Sequence, residues 1–205
     1  MSQDLLAAGD ALARGGVAIY PTDTLYGLGG DATREEVVER ILALKGLDRR
    51  RPFPLLVPST APALAAADPA WRPAIERLAR VAWPGALTLV VPLAPEVRSR
   101  LAAACPDGTA GLRLPAHPAA RYLAARAGGW LIGTSANPAG AAPPATAEAV
   151  SRALVAGVDV LVSSPCPCAG HASTILDLCP TVPAVLRAGD LDPGPLLRIL
   201  AGDAR

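Results

Sequence analysis

Apolar residues in this chain arrive in short runs broken by turns, with segments of helical spacing between them. That pattern points to short buried strands covered by helices, an α/β or α+β sheet domain. Residues 17–20, 25–28, 54–57, 86–91, 110–114, 130–134, 158–162, 173–178 and 184–186 read as strands. Residues 2–14, 33–45, 70–82, 118–127 and 146–155 read as helices. Ser2 or Asp4 is the expected cap of the first helix, Thr33 of the second and Thr146 of the last, with Glu35 and Glu36 in the second helix's first turn. Residues 138–145 form a Pro/Ala/Gly loop too short for a domain linker. No internal repeat is present.

Composition narrows the class further. Of the 205 residues 51% are hydrophobic, yet only three Trp, three Tyr and one Phe are aromatic, so the core is built from Ala, Val, Leu and Ile. A net charge of +1 excludes a polycation, and with the apolar content it excludes disorder. No apolar run is long enough to cross a bilayer. The N-terminus carries Asp4 where a secretory leader carries basic residues, so the expected compartment is the cytoplasm. The cysteines are Cys105, Cys166, Cys168 and Cys179 and the histidines His117 and His171. Their spacing is unusual for zinc, and they read as small buried thiols or a loop disulfide, with no metal site expected. Lys45 is the single lysine among 18 arginines, which marks it as a position where Arg does not serve.

Several segments carry candidate chemistry. In Pro21-Thr22-Asp23-Thr24-Leu25-Tyr26-Gly27-Leu28-Gly29 two hydroxyls flank a carboxylate on a turn after a strand, where α/β sheets bind ligands; an ordinary Asx turn has the same look. Lys45 with Arg49-Arg50-Arg51 is a phosphate-binding cluster or a solvated helix end. Gly133-Thr134-Ser135-Ala136-Asn137 puts small polar groups at a strand end. Arg113 interrupts an apolar strand and needs solvent or an anion. Ser173, Thr174 and Arg187 repeat that theme. His117, before Pro118, reads as a helix cap. No Walker loop, dinucleotide fingerprint or nucleophile elbow is present.

Pro21 to Gly29, Lys45-Gly46, Trp83-Pro84-Gly85-Ala86-Leu87-Thr88-Leu89, Gly111-Leu112-Arg113-Leu114-Pro115, Thr134-Ser135-Ala136-Asn137, Ser173-Thr174-Ile175-Leu176-Asp177-Leu178 and Leu186-Arg187-Ala188-Gly189 follow one another in the order and register of the YrdC-like family. The resemblance spans residues 5–190. It implies one YrdC-like domain over residues 1–205, the short form of the family. The implied fold is α/β, a twisted mixed parallel and antiparallel sheet flanked by helices with a concave, positive cleft. The implied activity is that of the family's best-known members, L-threonylcarbamoyladenylate synthases. They are nucleotidyltransferases that make threonylcarbamoyl-AMP and pyrophosphate from L-threonine, bicarbonate and ATP for the t6A37 modification of tRNA. By motif match Lys45 and Arg113 are catalytic. Thr22, Thr24, Arg113, Ser135 and Ser173 line the L-threonine pocket. Lys45, Arg49, Thr109, Asn137, Thr146 and Arg187 lie on the ATP side, with Mg²⁺ held mainly by the nucleotide. The implied partners are a downstream t6A transferase complex and tRNA or double-stranded RNA, with no membrane.

The segment after Lys45 departs from the synthase pattern. Synthases read Lys-x-Arg-Pro there, whereas this chain has Leu47 and then Asp48-Arg49-Arg50-Arg51-Pro52, which resembles the YciO branch. One of Arg49, Arg50 and Arg51 is the candidate to supply the guanidinium from a shifted loop. The rival expectation is a YciO-like RNA- or ribosome-binding module with little synthase activity, although few aromatic residues are available to stack on single-stranded RNA. A third is carbamoyl transfer to another acceptor on the same fold.

Overall fold

The β-rich stretch expected as a strand over residues 86–91 becomes the middle of the larger sheet. It is β4 (Leu87–Pro92), whose alternate residues pack on both sides. In the computed structural model, which describes residues 1–47, 52–163 and 168–202, the other elements group around it in chain order. The helices are α1 (Gln3–Ala13), α2 (Glu35–Lys45), α3 (Thr60–Ala66), α4 (Arg72–Ala82), α5 (Pro95–Arg98), α6 (Pro118–Arg126), α7 (Arg152–Ala156) and α8 (Pro193–Ala201). The remaining strands are β1 (Ala18–Tyr20), β2 (Gly27–Gly29), β3 (Pro54–Leu56), β5 (Thr109–Arg113), β6 (Leu131–Ile132), β7 (Thr134–Ser135), β8 (Val160–Leu161), β9 (Thr174–Asp177) and β10 (Ala184–Arg187). The larger sheet has the order β10-β9-β4-β5-β3-β6 and the smaller β7-β2-β1-β8. Both mix parallel and antiparallel pairs, as expected.

The register brings particular chain ends together. β4 runs antiparallel to β5, with Leu89 opposite Leu112, and parallel to β9, with Leu87 opposite Thr174. β3 runs parallel to β5, with Leu56 opposite Arg113. Thus the C-terminal ends of β3 and β5 and the N-terminal ends of β4 and β9 lie along one margin of the sheet. The turn between β1 and β2 belongs to the other sheet, and β7 pairs Ser135 with Gly27 of β2.

Two apolar clusters hold the layers. One joins Ile19, Leu28, Ile41, Leu55, Ile75, Leu78, Leu89 and Leu112 across both sheets, α2 and α4. The other seats α1 and α6 through Leu5, Ala8, Leu12, Ala120, Leu123 and Ala124. Small side chains let these helices approach closely, which compensates for the scarcity of aromatic mass.

Three expectations need correction. Residues 130–134 do not form one strand: the chain leaves the larger sheet after Ile132 and joins the smaller at Thr134. A Cβ at the intervening Gly133 would stand 2.7 Å from Leu56 Cγ, so the crossing needs glycine. Thr33 does not cap α2; it bonds Asp31 through both its N–H and its hydroxyl, and Arg34 occupies the cap position. The last predicted helix begins at Arg152, not at Thr146, because Ser151 supplies the cap bond to the Leu154 N–H at 3.3 Å. At the N-terminus Ser2 occupies the cap position of α1, as expected, without a side-chain cap bond, and the Asp4 carboxylate accepts from the Leu5 and Ser163 N–H groups. His117 does cap α6, its Nδ1 accepting from the Ala119 N–H at 3.1 Å. Helices α3, α5 and α8 are additions that periodicity alone did not show.

Candidate active site

The margin where β3, β4, β5 and β9 end opens onto a cavity of about 180 Å³. The larger sheet contributes Leu56, Thr88, Arg113, Ser173 and Arg187 to its lining, and the smaller contributes Thr22, Thr24, Gly27 and Ser135. All five residues predicted for the threonine pocket therefore meet at one cavity, together with Arg187.

Arg113 is 6% exposed and fixed on three sides. Its Nε donates to Gly85 O at 3.0 Å and its Nη1 to Thr24 Oγ1 at 2.9 Å. Its Nη2 stands 2.8 Å from Asp23 Oδ1 in an ion pair that lacks hydrogen-bond alignment. The Gly85 carbonyl is aimed by the Trp83-Pro84-Gly85 turn, in which Gly85 N–H bonds Leu114 O at 2.9 Å and the Trp83 indole bonds Leu87 O at 2.7 Å. A Cβ on Gly85 would stand 2.6 Å from Ala82 O, so the turn has no room for a side chain.

The hydroxyls form two chains, each led by a guanidinium. In the first, Arg113 donates to Thr24, the Thr24 and Thr22 hydroxyls lie 3.0 Å apart, and Thr22 donates to Leu25 O at 2.6 Å. In the second, Arg187 Nη2 donates to Ser173 Oγ at 3.0 Å, and Ser173 Oγ lies 2.9 Å from Thr88 Oγ1. Arg187 Nε also donates to Ser173 O at 2.9 Å. Burial and then the Arg113 charge lower the Arg187 pKa, which places the two guanidiniums within electrostatic reach.

Lys45 sits behind this cavity and does not line it. It is 5% exposed at the end of α2, and its Nζ donates to Ser135 O at 2.6 Å and Asn137 O at 2.7 Å. Its own carbonyl accepts from the Ala139 N–H at 3.0 Å. Burial pushes its pKa down to about 8. Asn137 turns its amide to Pro138 O and Ala141 O and leaves a buried Oδ1 without a partner among the described residues.

Other predicted residues lie elsewhere. Thr109 is at the opposite end of β5 from Arg113, roughly 13 Å away at strand rise, and bonds Asp107 in a turn. Thr146 is exposed and accepts from the Ala149 N–H at 3.3 Å. Arg49, Arg50, Arg51 and Cys166 lie outside the described residues. The Cys168 thiol donates to Thr22 O at 3.2 Å, and the next two N–H groups bond Asp23 O and Thr24 O, so this loop straps the threonine-bearing turn. Sequence reasoning placed Thr88 and Gly85 in a family motif but gave neither a role at the site. A lone hydroxyl at an alternate position of the apolar run 87–91 is the same kind of signal that singled out Arg113.

A family model named Sua5–yciO–yrdC, described as telomere recombination, matches residues 10–189. A Mycobacterium tuberculosis protein named as a putative threonylcarbamoyl-AMP synthase is 36% identical over 205 residues, 99% of this chain and 92% of that protein. The crystal structure of P. abyssi Sua5 complexed with L-threonine superposes with a TM-score of 0.83 at 29% identity. It is matched over 96% of this chain, which spans 57% of that longer protein. E. coli YciO superposes with a TM-score of 0.77 at 25% identity over 96% of this chain and 95% of its own.

Proposed function

The chain belongs to the Sua5–YciO–YrdC family, and on that premise we propose that it is a threonylcarbamoyl-AMP synthase acting in tRNA t6A formation. The observation that carries this reading is Arg113: a guanidinium held on three sides, facing a hydroxyl-lined cavity of amino-acid size. Its Nη2 is the group for a substrate carboxylate, and moving from Asp23 to threonine breaks no aligned hydrogen bond.

The chemistry asks for orientation and charge, not for a protein nucleophile. The threonine amine attacks the carbon of bicarbonate, water leaves, and the resulting carbamate oxygen attacks the α-phosphorus of ATP with loss of pyrophosphate. The enzyme is then a nucleotidyltransferase. Arg113, Thr22, Thr24, Ser135 and Ser173 hold threonine. Arg187 and Asn137, whose Oδ1 has no partner among the described residues, are assigned to the nucleotide, with Arg49 a further candidate. Lys45 acts from behind, holding the turn 135–137 through its two carbonyls. Thr109 and Thr146 have no part in this assignment. Mg²⁺ would be carried by the triphosphate, since among the described residues no three His, Cys, Asp or Glu side chains stand together. Residues 1–205 act as one domain in the cytoplasm and pass the product to a downstream tRNA-modifying transferase. Among the described residues no helix is long and apolar enough to cross a membrane.

Pyrophosphate release from ATP that requires both L-threonine and bicarbonate, with a threonylcarbamoyl-AMP product by mass, is the expected result. Tight RNA binding with no calorimetric response to threonine would overturn the reading.

A further inference from the structure

The two guanidinium-led hydroxyl chains differ at their ends. The chain from Arg113 runs through Thr24 and Thr22 and terminates on a protein acceptor, Leu25 O. The chain from Arg187 runs through Ser173 to Thr88 and has no terminal acceptor among the described residues. Two hydroxyls carry two hydrogens. One is used between Ser173 and Thr88, so the other has no protein partner. Thr88 is 3% exposed and both residues line the cavity, so the spare hydrogen faces the cavity and not bulk water. Because Arg187 already donates to Ser173, the cooperative arrangement is one-directional, from guanidinium to Ser173 to Thr88, and the spare donor is the Thr88 hydroxyl. A buried donor without an acceptor is costly, and a ligand oxygen relieves that cost.

The ligand must also suit its neighbours. Arg113 and Arg187 both line this cavity, and among the described residues the only carboxylate paired with either of them is Asp23, on Arg113. An anion is wanted at this corner. We propose that the Thr88 hydroxyl, together with Arg113 and Arg187, forms a subsite for a small planar oxyanion. Within the synthase reading, on which this rests, that oxyanion is bicarbonate and then the carboxylate of the carbamate it becomes. Bicarbonate has several acceptor oxygens, which suits a corner where two guanidiniums and a hydroxyl can donate. Threonine keeps the Asp23–Thr24 side of Arg113, so its amine and the carbon it attacks are brought together.

The test uses the intact protein in carbon-dioxide-depleted buffer, with pyrophosphate release followed against bicarbonate and threonine separately. Thr88→Val, which keeps the shape and removes the donor, is expected to raise the bicarbonate KM roughly ten- to hundredfold, the worth of one hydrogen bond to a charged acceptor. The threonine KM should stay within about twofold of wild type. Thr88→Ser should restore bicarbonate affinity, and Thr88→Ala should repeat the Val result if Val disturbs folding, as judged by thermal unfolding. An unchanged bicarbonate KM in both Val and Ala variants, or equal rises for bicarbonate and threonine, overturns the subsite. A wild-type protein with threonine-dependent turnover but no bicarbonate response refutes the ligand identity, whereas no threonine dependence at all refutes the synthase reading beneath it.

Discussion

Lys45 offers the most direct quantitative test, because its burial has a predictable signature in pH. The amine is pushed from an ordinary 10.5 down to about 8 in the folded protein, while the unfolded chain keeps the ordinary value. Between those values the unfolded state binds more protons, so this residue makes stability rise with pH across that window and contributes no slope below it. For pKa values of 8 and 10.5 the gain from pH 7.5 to 9.5 is about 2 kcal/mol. In a chain of this size that is roughly 4–8 °C in Tm. The thiols of Cys105 and Cys179, pushed by burial up to about 12, act in the opposite sense once unfolded thiols ionise near 9. A wild-type melt alone therefore mixes the two effects. Lys45→Met removes only the amine, so the difference between the two Tm profiles isolates it. Wild type should gain on the variant by those few degrees between pH 7.5 and 9.5 in calorimetric scans. Parallel profiles would show that the two carbonyl bonds, at 2.6 and 2.7 Å, fully offset the cost of burying the charge, and the reasoning from burial would fail.

Other perturbations address the same framework. Arg113→Met should raise the threonine KM roughly thirtyfold or more, since truncating one partner of a buried charge pair costs about 2–5 kcal/mol; a threonine-induced Tm rise that survives in the variant would count against it. Lys45→Arg keeps the charge but turns a point contact into a planar fork. It should weaken threonine binding in calorimetry without nucleotide present, because Ser135 moves with its carbonyl; intact threonine binding with lost ATP binding would place Lys45 on the phosphates instead. Gly189→Ala should unfold several degrees lower, because its Cβ would collide with the Ala172 and Ser173 backbone next to Arg187; an unchanged melt would show that the strand end can give way. Cys105, 2% exposed, should resist thiol reagents at pH 8 until the protein is denatured.

Much of this arrangement is legible in the sequence because two periods suffice for it. The apolar faces of α1, α2 and α6, and the strands around residues 18–20, 87–92 and 109–113, follow from spacing. What spacing cannot carry is a decision made by distant backbone. The break at Gly133 depends on Leu56, a residue far away in sequence. The stretch 146–150 has helical spacing, but the cap that starts a helix is Ser151. Lys45 carries the same limit: its position at a helix end suggests a charge held out toward a ligand, while the carbonyls of Ser135 and Asn137 turn it inward.

The motif residues divide into those that present a group and those that hold it, and the second kind act largely through backbone. Gly85 contributes a carbonyl to Arg113 Nε. Thr174, wholly buried, accepts from the Gly189 and Leu191 N–H groups and donates to Leu191 O, which pins the chain leaving β10 beside Arg187. Tyr20 donates to Ile132 O at 2.6 Å and lays its ring where a side chain at Gly27 would otherwise stand, while the Ile132 carbonyl and the Tyr20 hydroxyl leave no room for one at Gly29. These residues leave the charged groups little rotameric freedom before any substrate arrives, and orientation settled in advance is what a reaction without a protein nucleophile depends on. It follows that changes at Gly85 or Thr174 should lower activity by misplacing Arg113 or Arg187, with no contact to substrate of their own.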